Sequence, residues 1–592
     1  MKSFVLSSLP LILSLSGSYA TIFDSANELP NNVPYDYVVV GGGVAGSVLA
    51  NRLTEDPSIQ VLVLEAGGRY DDVLEAHIPF FTTRTPGSIK WNFTSVPQAN
   101  LSGRDIIYTR GFVLGGSSAI NGMFYSRGTT EDLDRFAKIT GDDGWSWDSM
   151  LPYFIKSETL VPPADNSNIT GRVIPRFHGT EGPLAVSLPG FSQSVDGRVI
   201  QASEELGGKF AFNQDQNSGN NLGLGWNAAT INRSNRSSAA VSYLKPEFSD
   251  RENLHILLHA RASRIIPGNN NKTFTMVEYA QDLSGPFFNV TAAKELILAT
   301  GVFGTPMILL NSGIGNITHL EEVGITPLVD LPSVGQNLTD HPSTSVSWFV
   351  NSTMTWDSLN RNQTALSEAL TEWSTQGTGP LVDTLGNQIV YFRVNDSVIN
   401  ELGIDPSPGP TSPHLEFIVA NGLFNPNPPA GNFFTVAVNL VSPEARGSVT
   451  LNTSQISPFD LPIINPNMLS TEFDRVVLRE GIKSAFQFTA APVFSDYILS
   501  VSGALNGTVT DAAIDAQIQA GTGTGNHPVG TASMSAKNSD WGVVDPDLKV
   551  KGLNGIRIVD ASILPFNPSG HPQALMYAMA ERAADLIKAE DT

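Results

Sequence analysis

Residues 35–67 read YDYVVVGGGVAGSVLANRLTEDPSIQVLVLEAG. The apolar run Tyr37, Val38, Val39, Val40 predicts a parallel strand buried on both faces, because polar residues do not alternate with apolar ones. It runs directly into Gly41, Gly43 and Gly46 in G-x-G-x-x-G spacing. A helix is expected from Ala45 to about Thr54, then a second strand over Val61 to Leu64. That strand ends in Glu65, nineteen residues past Gly46, where a carboxylate can take a ribose hydroxyl pair. The glycines let the backbone approach a pyrophosphate at a helix N-terminus, whose dipole and free N–H groups favour negative charge. Strand, glycines, helix, strand and acid together predict a dinucleotide-binding βαβ unit in an α/β protein.

Upstream lie Lys2, an apolar core from Phe4 to Leu15, and the small-residue site Ser18-Tyr19-Ala20. This reads as a secretory signal over residues 1–20, too short and wrongly flanked for a membrane anchor. No later stretch holds the roughly 18 apolar residues that a span requires. A soluble, secreted, extracellular chain is expected. Repeated Asn-x-Ser/Thr sequons, among them Asn92, Asn168, Asn289, Asn337 and Asn452, agree with that route and predict a glycosylated surface.

The 592 residues contain no cysteine, which excludes disulfides, thiolate metal sites and cysteine nucleophiles. Two or more domains are expected at this length. With 35 basic and 57 acidic residues, neither nucleic acid nor an anionic membrane is an expected partner. The acidity serves solubility. The Pro/Gly/Asn-rich stretches Leu402 to Pro413 and Leu423 to Gly431 read as loops, the second of which can cover a site.

Further chemistry gathers at separated points. Arg110 to Met123 (RGFVLGGSSAINGM) places two glycines and two serines before an apolar segment, which suits a polar planar ligand. Gly301 to Gly315 and Val334 to His341 follow, then Asn526-His527-Pro528-Val529-Gly530-Thr531. A strand over Ile556 to Val559 leads to Asp560, and Asn567 to Gln573 reads NPSGHPQ. Gln573 to Lys588 reads as an amphipathic helix whose positive N-terminal end sits beside His571.

In this order, these motifs resemble the glucose-methanol-choline oxidoreductase family over nearly the whole chain. Within it the chain looks most like fungal secreted aryl-alcohol oxidases, through Arg127 to Asp132, Val161 to Asn166 and Trp541 to Leu548; the pyranose dehydrogenases are a near sister group. The resemblance implies non-covalent FAD in a discontinuous Rossmann-like domain (residues 35–130, 225–345 and 540–590). It also implies a substrate domain on an antiparallel sheet (131–224 and 346–539). Carried over, Gly41, Gly43 and Gly46 contact the FAD pyrophosphate and Glu65 the adenosine ribose. Val113, Asn121 and Met123 lie along the isoalloxazine, and Ala262, in a strand expected from Leu254 to Ile265, meets the adenine. Asp560, Pro572 and Gln573 complete the contacts. No heme or metal site is suggested, and a monomer is expected.

Oxidation of an alcohol removes a hydroxyl proton and a carbon-bound hydride, so the site requires a neutral base and a second group holding the oxygen; imidazole suits both near neutral pH. Of nine histidines, His527 and His571 fall in motifs aligned with the family's catalytic pair. His527 is expected to be the base and His571 to hydrogen-bond the same oxygen, with dioxygen reduced to hydrogen peroxide. His341, also in a motif, is expected to be structural. The implied rivals are a sugar or aryl-alcohol dehydrogenase that uses quinones, and a non-redox relative resembling mandelonitrile lyase.

Two positions depart from the aryl-alcohol oxidases. Asn526 stands where they have an aromatic residue and Gly122 where they have a tyrosine, so ring surface is lost from the expected substrate pocket. Phe424 aligns with an aromatic that gates their site. Ile120 occupies the place where some relatives carry a histidine joined covalently to FAD. That link cannot form here, so acid precipitation should leave the flavin absorbance in the supernatant, measured against the pellet.

Overall fold

The computed structural model describes residues 22–30, 33–268, 272–454, 456–506 and 509–591. The expected secretory signal lies outside the described residues. Tyr37–Val40 and Val61–Leu64 pair in parallel, Tyr37 opposite Val61 and Val40 opposite Leu64. They form the middle of a six-stranded parallel sheet in the order Ile22–Phe23, Leu254–Leu257, Val61–Leu64, Tyr37–Val40, Glu295–Leu298, Ile556–Ile558. Every residue of the two central strands is buried, as their unbroken apolar sequence requires.

The crossover helix spans Val44–Leu53 with Gly43 as its N-cap, one residue earlier than the sequence reading. Gly41 has φ +106, and a Cβ on Gly46 would lie 1.9 Å from the Gly41 carbonyl oxygen. The helix therefore sits against the strand end at a distance only a bare backbone permits. The C-terminal helix, Gln573–Asp591, is fastened to the crossover helix by Glu581, which accepts from Arg52 at 2.8 Å and from the Tyr243 hydroxyl at 2.8 Å.

The second large sheet is antiparallel, in the order Ile498–Val501, Pro342–Val350, Phe433–Leu440, Leu415–Ala420, Gln388–Phe392, Gly223–Trp226, with Gly523–Thr524 beside Pro342–Val350. Pro342–Val350 alternates buried and half-buried residues along its length, the period-2 signature of a strand with one covered face. Glu472–Thr489 lays Phe473, Val477, Leu478, Ile482 and Phe488 in the core. The boundaries anticipated at 224/225 and 345/346 fall inside Gly223–Trp226 and Pro342–Val350, both strands of this sheet. One apolar core holds Val39 of the parallel sheet together with Phe417 and Val436 of the antiparallel one.

The single strand anticipated from Leu254 to Ile265 is two. His259 adopts φ +57, and the chain turns from Leu254–Leu257 in the parallel sheet to Arg261–Pro267 in a three-stranded sheet. Among the sequons, Asn92, Asn168, Asn289 and Asn452 are exposed. Asn337 is not available to a glycan, because its amide donates to Ser533 Oγ and the Pro565 carbonyl, each at 2.9 Å.

A buried ion network ties residues 127–215 together. Arg127, with no exposed surface, pairs with Glu158 at 2.8 Å; Glu158 also meets His178 Nδ1 at 2.7 Å, and His178 Nε2 meets Asp215 at 3.1 Å. Among the described residues no helix is long and apolar enough to cross a membrane.

Gly46→Ala should lower stability by about 1–3 kcal/mol or more through overpacking. Gly87→Ala, where a Cβ meets nothing within 4 Å, should stay within about 0.5 kcal/mol of the parent. Thermal unfolding of both variants checks the difference.

Candidate functional site

The carboxyl ends of four parallel strands open into one cavity of about 650 Å³, where a doubly wound sheet binds its ligands. Strand Tyr37–Val40 delivers Gly41 and Gly43, Val61–Leu64 delivers Glu65, Glu295–Leu298 delivers Thr300, and Ile556–Ile558 delivers Asp560. The far wall carries Asn121, Met123, Asn526, His527, His571 and Gln573. Ala262 and Pro572 also line it.

Three expected positions stand outside that wall. The Gly46 site is spent on helix–strand contact with Gly41. Val113 is fully buried among Tyr70, Ala76 and Ile89, and its backbone bridges Gly68. Phe424 packs on the cluster of Phe80, Phe81 and Trp356, its ring 6.3 Å from that of Trp356. It anchors the Pro-rich loop.

The nucleotide end fits a dinucleotide. Gly43 caps the helix without a side chain, and a Cβ there would meet nothing closer than Gly116 at 4.0 Å, so the free N–H groups at the helix start face open space. Glu65 accepts from Gly42 N at 2.8 Å and Gly67 N at 2.7 Å. Burial pushes its carboxyl up to about 7 against those hydrogen bonds. Asp560 accepts from Gly301 N at 2.9 Å, Thr305 Oγ1 at 2.6 Å and Ser562 N at 2.8 Å, and burial also raises its pKa.

At the other end, rings and carboxylates form a chain. His527 Nε2 lies 3.0 Å from His571 Nδ1, and His571 Nε2 lies 2.8 Å from Glu416 Oε1. His527 Nδ1 lies 3.0 Å from Nδ1 of the fully buried His341. Burial holds His341 down to about 3, and burial followed by the charges of His571, His341 and Arg110 holds His527 well below the usual imidazole range. Burial pushes Glu416 up, but the His571 charge and hydrogen bond and the Asn439 amide, which donates at 2.7 Å, outweigh it and hold the carboxyl at about 2. Glu416 therefore stays ionised inside the protein.

Each histidine is placed by its segment. Asp340 Oδ1 accepts from His341 N at 2.8 Å and from His527 N at 3.0 Å, which fixes two separated stretches against each other. Asn526 has φ +62, tolerable for asparagine, and its Oδ1 accepts from Thr109 N at 3.0 Å while its carbonyl accepts from Arg110 at 2.6 Å. Asp132, part of a capping box at Thr130–Thr140, reaches Ser569 N and Oγ at 3.0 Å each, two residues before His571. The Phe124 ring stacks on His571 at 4.8 Å and 12°.

Sequence reasoning did not single out Glu416, Asp132 or Phe124; His341, expected to be structural, touches His527. Glu416 had one readable signal, a lone acid inside the apolar run Leu415–Ala420. Gly122 and Ile120 line the cavity as well.

Two profiles of the GMC oxidoreductase family match the chain, over residues 35–343 and 443–580. A dehydrogenase of Hericium erinaceus is 41% identical, over 99% of both chains. Pyranose dehydrogenase 3 of Leucoagaricus meleagris is 38% identical, over 97% of this chain and 96% of that one. Among solved structures, an FAD-dependent oxidoreductase from Chaetomium thermophilum superposes with TM-score 0.85 at 30% identity, over 94% of this chain and 99% of that one. A fungal aryl-alcohol oxidase does so with TM-score 0.83 at 27% identity, over 94% and 99%.

Glu65 and Asp383 are both pushed up to about 7, chiefly by burial. A carboxyl whose folded pKa is raised stabilises below its unfolded pKa, and that contribution is lost as pH rises through the folded value. Stability should therefore fall between about pH 4.5 and 7, and Glu65→Gln should flatten part of that fall. Thermal midpoints of parent and variant at both ends of the window test this.

Proposed function

The chain belongs to the GMC oxidoreductase family, binds FAD, and we propose that it is a secreted oxidase of primary, benzylic alcohols. The net reaction is RCH2OH + O2 giving RCHO + H2O2. The observation that carries the reading is the pair His527 and His571, 3.0 Å apart on the cavity wall, the first buried and held well below the usual imidazole range, the second hydrogen-bonded to Glu416.

FAD, when bound, supplies the acceptor for the hydride that leaves the alcohol carbon. Gly41 and Gly43 hold its pyrophosphate, Glu65 its ribose, and Asn121, Met123 and Gln573 its reactive end. The protein's own groups handle the proton. An alcohol oxygen held between His527 Nε2 and His571 Nδ1 replaces their mutual contact with two of its own. Burial and neighbouring positive groups keep His527 neutral, so it has a lone pair for the hydroxyl proton. Glu416 accepts from His571 Nε2 and gives that ring a counter-charge when it carries a second proton. Phe124 limits the rotation of His571, and Asp340 fixes the backbone of His527.

Gly122 and Asn526 leave the alcohol side of the cavity without the rings of aryl-alcohol oxidases, so a bulkier or more polar alcohol is admitted. That opening, with 38% identity to a pyranose dehydrogenase, favours a second reading in which the donor is a sugar and the acceptor a quinone. Secretion is supported by the leader pattern in residues 1–20 and the exposed sequons.

A general base contributes about 10²- to 10⁴-fold. His527→Ala should slow anaerobic bleaching of the flavin band by a methoxybenzyl alcohol by at least that factor while FAD content stays unchanged. A parental bleaching rate in the variant would sink the assignment. Recovery of the band in air, with peroxide, supports the oxidase; recovery only with a quinone means a dehydrogenase, and a parental band that no alcohol or sugar bleaches means a non-redox enzyme.

A further inference from the structure

Arg236 is a buried guanidinium with 4% of its surface exposed and no carboxylate within ion-pair distance among the described residues. Its donors go to neutral acceptors: Nε to the Ala76 carbonyl at 2.9 Å, and Nη1 to the Ser118 carbonyl at 3.2 Å, the Asn121 carbonyl at 2.7 Å and Asn121 Oδ1 at 2.8 Å. Nη2 has no partner. The charged or titratable groups that bear on it are the Tyr70 and Tyr577 hydroxyls, both neutral at ordinary pH, and burial pulls the guanidinium down only to about 10. The cation therefore persists, at a desolvation cost that no anion among the described residues offsets.

Its position gives that cost a use. Asn121, which Arg236 grips from behind, is a cavity-wall residue, and its Oδ1 also accepts from Met123 N at 3.0 Å. The amide is thereby oriented with Oδ1 toward the guanidinium and Nδ2 toward Gln573, to which it donates at 2.9 Å at the start of the last helix. The positive field of Arg236 and the positive end of the aligned amide dipole both point to the reaction end of the cavity. In a poorly solvated interior such a field is weakly screened.

We propose that Arg236 is an electrostatic positioning residue whose unpaired charge raises the electron affinity of the bound FAD. On reduction at neutral pH, FAD takes up two electrons and one proton, and so gains one negative charge; Arg236 supplies the missing counter-charge across Asn121. The proposal requires FAD and neither a particular alcohol nor a particular acceptor, so it survives failure of the benzylic-oxidase reading.

The test is the midpoint potential of FAD in the intact holoenzyme, measured by anaerobic dithionite titration against a reference dye, for Arg236→Lys, Arg236→Gln and Arg236→Met. Arg236→Gln keeps an amide donor and removes the charge, which covers the case in which Arg236→Met does not fold. Arg236→Lys keeps the charge and breaks the multiple grip on Asn121. Arg236→Gln and Arg236→Met should each lower the potential by at least a tenfold loss in the reduction equilibrium, about 30 mV for a two-electron couple, with Arg236→Lys near the parent. An unchanged potential in Arg236→Gln overturns the proposal. Equal falls in Arg236→Lys and Arg236→Gln also overturn it, because the grip on Asn121 rather than the charge would then be responsible.

Discussion

The contact between the Gly46 backbone and the Gly41 carbonyl is the constraint from which the rest of the nucleotide end follows. A helix can begin against the end of a parallel strand only if no side chain intervenes, and a Cβ at Gly46 would stand 1.9 Å from that carbonyl. Once the helix is seated there, its uncapped N-terminus faces the open space at the sheet's carboxyl edge. Glu65, at the end of the neighbouring strand, then has two backbone N–H donors within reach and is held rigidly at the cavity rim. The geometry is a consequence of packing, and the affinity for a pyrophosphate follows from the dipole and donors that packing leaves free.

The histidine end of the cavity is built by a different rule. No single element carries it: His527, His571, Glu416 and His341 come from four stretches, and each is set by polar contacts that cross between them. One Asp340 oxygen holds the backbone of both His341 and His527. Asp132 holds the segment that delivers His571. Glu416 comes from a strand of the antiparallel sheet, so its contact with His571 forms only when the two sheets are docked. A shared apolar core fastens them. Buried networks of this kind are costly unless every member is satisfied, which is why their positions are fixed by tertiary structure and not by local propensity.

That contrast explains what could be read from sequence. The βαβ unit was legible to within one residue because strand period, glycine spacing and helix start are all local. His527 and His571 were legible only through their motifs. Glu416 and Phe124 were not, since their function lies in a ring contact or hydrogen bond with residues over a hundred positions away. Val113 and Phe424 lie off the cavity wall for the converse reason. Each occupies a position that motif alignment marks for contact, yet the apolar side chain found a cluster nearby, and for the fully buried Val113 that burial is worth about 1.5–3 kcal/mol. The strand from Leu254 broke at His259 because no periodicity announces a left-handed residue.

The charges around the cavity complete the argument. The chain carries a net charge of −22, yet Arg110 and Arg236 lie at the histidine end of the cavity without a carboxylate in ion-pair contact among the described residues, and burial pulls both down to about 10. At the nucleotide end the reverse holds: Glu65 and Asp560 are acids pushed up by burial and held by backbone donors. Neither arrangement stabilises the empty fold, since each leaves a charge or proton imbalance in a dry environment. Both are relieved by a ligand with hydroxyl groups at one end and a negative charge that develops on reduction at the other. The polarity of the cavity thus matches the two ends of a flavin dinucleotide, and the stability given up at these groups becomes discrimination for that cofactor and for its reduced state.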